Sequence, residues 1–335
     1  MRQAAWQKED CLGIQCTLCP FNCFLPEGVR GICRVRANVA GELKTLVYAQ
    51  PVSVNIDPIE KKPVYHFLPG SRIFSIATVG CNLRCAFCQN WEISQCYPEQ
   101  AKGRILSPQE VVELAVKYEC NSIAYTYSEP AVFYEYVLDT AKLAKERGLR
   151  NVLVSAGYIN AEPLRELAVY FDVIKIDLKG FNEKFYRDVV GGSLKFVLET
   201  LKELKKLGVL VEIVNLVVPT LNDDMEEIKE MCEWIYKNLG PDTPLFFSRF
   251  TPQYRLANLP STPIEVLEEA RDTALKVGLR YVYIGNVAGH EGENTYCPSC
   301  GKILIRRYGY AILENRIVKG ACFFCGENIA GIWGN

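Results

Sequence analysis

Between residues 72 and 286 the chain alternates short apolar, β-branched runs with longer stretches whose apolar positions recur at helical spacing. Runs of the first kind read as strands buried on both faces, and the stretches between them as helices covering a sheet. Strands are predicted at residues 72–79, 122–127, 152–155, 173–176, 209–218 and 245–250, with a seventh at 281–284. Helices are predicted at 108–118, 132–147, 195–207, 225–238 and 264–277. End signals support them: Ser107, Pro108 and Glu110 supply an N-cap, a proline at the first helical position and a capping-box carboxylate. Gly148, Gly208 and Gly278 follow last turns rich in lysine or arginine.

Successive strand–helix units imply an α/β fold with a parallel sheet. Periodicity leaves a barrel and an open doubly wound sheet both available, and six or seven units favour a partial (β/α)6-type barrel. In either case ligands sit beyond the C-terminal ends of the strands, so loops beginning at Gly80, Ser128, Ala156, Asp177, Pro219 and Thr251 are expected around one cavity. Residues 1–70 and 290–335 lack the alternation and carry their own cysteines. The expected organisation is a cysteine-rich N-terminal segment, a core over 71–289 and a small four-cysteine module over 290–335.

With 335 residues, 49% of them apolar, the chain has material for one large core with small appendages. A formal charge of −1 gives no general attraction to phosphate, and no basic patch stands out, so nucleic acid is not an expected partner. The charged start and the lack of a long apolar stretch predict a cytoplasmic protein without a membrane span. Fifteen cysteines change the picture, since in a reducing compartment clustered cysteines read first as metal ligands. Histidine is limited to His66 and His290, which removes most histidine-based zinc and triad chemistry. A structural role is the expected one for both.

Cys81, Cys85 and Cys88 form a CxxxCxxC run in the loop after the first predicted barrel strand, with the aromatic Phe87 before the third cysteine. Three thiolates can hold three irons of a [4Fe-4S] cubane and leave the fourth iron open to a ligand. Such an iron can chelate the amino and carboxylate groups of S-adenosylmethionine, so that one electron breaks the S–C5′ bond and a 5′-deoxyadenosyl radical abstracts hydrogen. A zinc knuckle completed by Cys96 is the alternative.

Over most of its length the sequence resembles the radical SAM superfamily. Within it the pattern is similar to pyruvate formate-lyase activating enzyme and, more closely, to the radical SAM member of the AmmeMemoRadiSam system. Residues 125–130 (YTYSEP) fall where that family carries Gly-Gly-Glu, which implies Ser128 and Glu129 as partners of the substrate ammonium. Residues 174–180 (IKIDLKG) resemble its Asp-Leu-Lys segment, which implies Asp177 on the ribose side and Lys179 on the methionine carboxylate. Residues 189–192 (VVGG) and 216–224 (LVVPTLNDD) also look familial. Buried charges of opposite sign at strand ends suit a zwitterionic amino acid, though a solvated ion pair is the plainer account of the same residues. Ser155 and Asn286, at the ends of later strands, are candidates to approach the methionine and adenine groups. The family's arginine falls on Val214 here, with Asn215 beside it, so the carboxylate clamp must be built differently. Activases with extra clusters insert cysteines soon after the central motif; this chain does not, which weighs against activation of a glycyl radical enzyme.

Cys297, Cys300, Cys322 and Cys325 form two CxxCG knuckles, the pattern of a structural zinc ribbon or of an iron-holding rubredoxin, with zinc favoured for a closed site. Cys16, Cys19, Cys23 and Cys33 make a second four-cysteine set whose uneven spacing suits zinc and an auxiliary iron-sulfur cluster equally. Cys120 and Cys232 read as packing. The expected activity is that of an oxidoreductase-type radical enzyme served by a one-electron reductant such as a flavodoxin or ferredoxin. Its substrate is either a protein or peptide or a small molecule. A non-catalytic iron-sulfur or zinc carrier is the competing class.

Overall fold

The structure, a computed structural model, describes residues 1–334. An eight-stranded sheet dominates it. In chain order its strands are β1 (Ser53–Pro58), β2 (Arg72–Ala77), β3 (Ser122–Tyr125), β4 (Arg150–Ser155), β5 (Val173–Asp177), β6 (Leu210–Val217), β7 (Leu245–Arg249) and β8 (Val282–Gly285). Neighbours in sequence are neighbours in space, from β1 at one edge to β8 at the other. From β2 to β8 every pairing is parallel, with registers such as Val173 opposite Leu210 and Asp177 opposite Val214. The seven parallel strands fall where the apolar runs predict. The β1 strand does not: residues 53–58 precede the expected core, yet pair antiparallel with β2 from Ser53 opposite Ala77 to Pro58 opposite Arg72. Their mixed polar sequence gives little strand signal, because an edge strand is covered less than a central one.

Among the described residues, six helices of eight residues or more cover the sheet: α1 (Pro108–Lys117), α2 (Tyr134–Glu146), α3 (Ala161–Ala168), α4 (Leu194–Leu207), α5 (Met225–Leu239) and α6 (Ile264–Val277). The capping box at the start of α1 is formed, Ser107 N donating to Glu110 Oε2 at 2.7 Å and Glu110 N to Ser107 Oγ at 3.3 Å. Two departures lie near the ligand end. The stretch beginning at 132 opens as a 3-10 turn, Pro130–Phe133, before α2. After β5 the chain makes a π turn, Tyr186–Val190, in which Gly191 N and Gly192 N both donate to the Tyr186 carbonyl.

The sheet curves without closing, and its floor is filled from outside. Residues 59–68 bring Ile59, Val64 and Phe67 into a cluster with Ile73, Ala124, Val152 and Val173 from four strands. Backbone N–H groups of Tyr65 and His66 donate to the buried Glu212 carboxylate on β6, each at 2.9 Å. The C-terminal module, built on a three-stranded sheet (Thr295–Tyr296, Ile303–Tyr308, Ala311–Asn315), shares a second cluster with Tyr65, Phe246 and Tyr283. With that end plugged, a cavity opens at the C-terminal ends of the strands. Among the described residues no helix is long and apolar enough to cross a membrane.

Candidate active site

Beyond β2 the backbone turns at Gly80 (φ +105°) into the cysteine loop. Arg84 N and Ala86 N donate to the Val190 and Val189 carbonyls at 2.9 Å, so the π turn holds the loop like the partner strand of a ladder. A methyl group on Gly192 would stand 2.7 Å from Leu83, which explains why a side chain is excluded there. Asn82 donates to the Tyr158 carbonyl at 2.7 Å, and Asn90 to that of Tyr127 at 3.0 Å. Cys81, Cys85 and Cys88 all face one cavity of about 360 Å³ at the strand ends. Burial, with the nearby Glu129 charge, pushes the Cys81 thiol well up, and burial raises Cys85 to about 12. Loading this loop with metal therefore releases protons.

Glu129 closes one wall. It is 4% exposed and accepts from Ser155 Oγ (2.7 Å), Ala156 N (2.8 Å) and Ala131 N (3.1 Å). Burial still raises its pKa against those donors. A cationic ligand at this wall would offset that penalty. Ser128 lines the cavity with its hydroxyl given to the Thr78 carbonyl at 2.7 Å. Ser155 stands behind Glu129 and orients it rather than lining the cavity. On the opposite wall Asp177 pairs with Lys175 and, at 3.3 Å, with Lys179. Burial opposes its charge, and the two ammonium groups prevail and lower its pKa. Lys179 is likewise raised against burial by Asp177 and Cys85, and lies 5.8 Å from the Phe87 ring centre.

Of the remaining candidates, Phe87 and Asn286 line the cavity, Asn286 in a left-handed conformation (φ +62°) at the end of β8 with its amide donating to the Arg249 carbonyl at 3.1 Å. Asn215 does not line it. Strand alternation sends Val214 and Leu216 inward, and Asn215 donates instead to the Leu178 carbonyl at 2.8 Å. The sequence reading missed Lys175, although its place two residues before Asp177 puts both on one face of β5. It also missed Lys61 and Lys62, which reach the cavity from the floor segment, and Tyr310, which reaches it from the C-terminal hairpin. Lys62 is bound at 2.6 Å to Asp57 on β1, which also accepts from Ser75 and Tyr127. Nothing local to residues 53–62 or 310 signals such a position.

The terminal cysteine sets differ in geometry. Among the described residues, Cys297, Cys300, Cys322 and Cys325 are the one group whose ligand atoms all lie within 4.8 Å of one another. The Cys297–Cys325 and Cys300–Cys322 sulfurs are 3.6 Å and 3.8 Å apart, and Phe324 N donates to Cys322 Sγ at 3.4 Å. Four thiolates about 2.3 Å from one tetrahedral ion would be separated by about 3.8 Å. This group therefore fits a single ion. Cys16, Cys19, Cys23 and Cys33 surround a separate small cavity under the N-terminal segment.

A family model described as the radical SAM superfamily matches residues 75–235. An uncharacterized protein of Methanocaldococcus jannaschii is 48% identical over 98% of this chain and 99% of its own length. Pyruvate formate-lyase-activating enzyme of Clostridium pasteurianum is 27% identical over 48% of this chain and 67% of its own. A radical SAM methyltransferase from Sphaerobacter thermophilus shares the fold with a TM-score of 0.51 and 15% identity, over 71% of each chain.

Proposed function

This chain belongs to the radical SAM superfamily, and from that premise we propose that it cleaves S-adenosylmethionine reductively at a [4Fe-4S] cluster held by Cys81, Cys85 and Cys88. The observation that carries this reading is the convergence of three thiols, a buried carboxylate and a lysine–carboxylate pair on one cavity at the strand ends. When bound, the cluster supplies one electron that opens the S–C5′ bond.

The chain's own groups do the positioning. Glu129, held by Ser155, Ala156 and Ala131, meets the ammonium of the methionine moiety. Lys179, between Asp177 and Cys85, is placed for its carboxylate, and Asp177 for the ribose hydroxyls. Phe87, packed parallel to Phe185 at 6.0 Å, and Leu83 keep water from the reacting carbon. Lys61, Lys62, Tyr127 and Tyr310 remain to border a second molecule, the hydrogen donor. Because the floor segment and the C-terminal hairpin both line the cavity, a small molecule or a single extended chain end fits better than a broad folded surface. A flavodoxin- or ferredoxin-type protein is the reductant class this chemistry needs.

Oxygen-free reconstitution followed by chemical reduction in the presence of S-adenosylmethionine should release 5′-deoxyadenosine, and Cys85→Ala should abolish it. Wild-type protein with an intact cluster that yields no such product would overturn the proposal.

A further inference from the structure

The cavity beneath the N-terminal segment is bordered by Cys16, Cys19, Cys23, Cys33 and Arg36. Two features distinguish it from the C-terminal group. Its sulfurs are set wider, since among the described residues only the C-terminal four fall within 4.8 Å of one another. A mononuclear site needs the tighter spacing, and this chain displays it elsewhere with the same number of thiols, so the contrast is internal to one molecule. A cluster, with several irons and bridging sulfides between the thiolates, needs the wider one.

The second feature is an unpaired donor. Arg36 is 1% exposed. One end of its guanidinium is bound to Glu135 at 2.8 Å and to the Ala5 carbonyl. Its Nε–H has no partner although it is buried. A buried guanidinium N–H left without an acceptor is costly, and a group with several sulfur acceptors in the adjoining cavity would complete it. Backbone of Val35 and Arg36 lies beside the Cys33 thiol, and that of Phe21 beside Cys19.

The cage also touches the active-site loop. The Asn82 side chain, one residue from Cys81, lies beside the Cys19 thiol, with its amide N–H given to the Tyr158 carbonyl at 2.7 Å. A methyl group on Gly80 would stand 3.1 Å from the Cys33 carbonyl, so the two cysteine-bearing segments pack back to back.

We propose that Cys16, Cys19, Cys23 and Cys33 bind a second iron-sulfur cluster, closed by four protein thiolates, with Arg36 Nε–H donating to it and Asn82 linking it to the loop of the first. The statement that it neighbours a first cluster rests on the functional reading above; the second cluster itself does not. Because all four ligands come from the protein, S-adenosylmethionine has no open iron to bind there.

The test uses the full chain, reconstituted without oxygen, and reads iron, acid-labile sulfide, zinc and EPR rather than turnover. The C81A/C85A/C88A variant should retain labile sulfide and a reducible signal indifferent to S-adenosylmethionine. Cys23→Ser in an otherwise intact chain should lose that signal and keep the one that responds to S-adenosylmethionine. Fully reduced wild type should show spin–spin coupling between two centres, absent from either variant. Arg36→Lys, which keeps the charge and removes Nε–H, should retain the sulfide and lower the midpoint potential of the closed cluster. Zinc at these thiols, or wild type and Cys23→Ser with equal sulfide content, would overturn the proposal. Uncoupled centres would overturn the link through Asn82, and an unchanged potential in Arg36→Lys the donor role. A wild type that keeps the closed cluster but shows no response to S-adenosylmethionine would instead count against the functional reading.

Discussion

Glu129 and His66 are both buried, and burial acts on them in opposite directions because one is an acid and the other a base. For Glu129 the raised pKa means that an incoming ammonium must stabilise its charge. Glu129→Gln removes the charge and keeps the shape, so affinity for S-adenosylmethionine should fall by roughly tenfold or more, the loss of a charged hydrogen bond of about 1.5–3 kcal/mol. Equilibrium binding to the reconstituted protein measures it. His66 Nδ1–H donates to the Ala330 carbonyl, and Nε2 accepts from Tyr283 at 2.7 Å. Burial pulls this imidazole from 6.5 to about 3. Below about 6.5 the unfolded chain takes up a proton that the folded state refuses. The stability contributed by His66 is therefore lost as pH falls from 6.5 toward 3, by up to about 1.4 kcal/mol per pH unit. Glu212, raised to about 7 by burial, acts in the opposite sense from 4.5 upward. Urea unfolding of wild type and His66→Gln separates the two, since Glu212 is common to both. The stability difference between the proteins should shrink on acidification. Candidate residues carried by a local motif, such as Glu129, Asp177 and Lys179, were legible before the structure. Lys62 and Tyr310 were not, because each reaches the cavity from an element whose docking is not encoded nearby.

At the scale of elements, the cysteine loop is hydrogen-bonded through its backbone to the π turn after β5 and to the turn after β3, and the N-terminal segment packs against it at Gly80. Gly80 shows the tightness of the fit. A methyl group there would lie 2.6 Å from Val35 Cγ1, at a φ of +105° that side chains rarely adopt. Gly80→Ala should lower the free energy of unfolding by about 1–3 kcal/mol. A lower urea midpoint together with reduced iron occupancy would check it. The seven parallel strands and five of the helices were predictable, because a central strand and an amphipathic helix carry their burial pattern within themselves, whereas the eight-residue α3 was not among the predicted helices. The β1 strand was not, since only its antiparallel pairing with β2 makes it a strand. The π turn likewise forms where the VVGG run must present consecutive carbonyls to the cysteine loop.

On the scale of the whole molecule, the C-terminal module packs against the floor segment at Tyr65 and against β6, β7 and β8 at Val214, Phe246 and Tyr283. Trp333 lies 5.3 Å from the His66 ring, and Ile332 N donates to the His66 carbonyl at 2.7 Å. The floor segment 59–68 is thus held between barrel and module. In protein loaded with zinc at Cys297, Cys300, Cys322 and Cys325, chelation of the ion should lower the melting temperature and raise amide hydrogen exchange in residues 59–68 as well as in the module. Exchange confined to the module would show that the two are not coupled. The sequence by itself determined the strand–helix alternation, the cysteine spacings and the charges at the strand ends, because periodicity and spacing are properties of neighbouring residues. Only the tertiary structure decided that one set of four thiols converges tightly while another stands apart, that Asn215 turns away from the cavity, and that the floor is plugged by a segment from outside the core. Those outcomes depend on packing between residues far apart in the chain, where the free energy of burying one surface against another selects the partner.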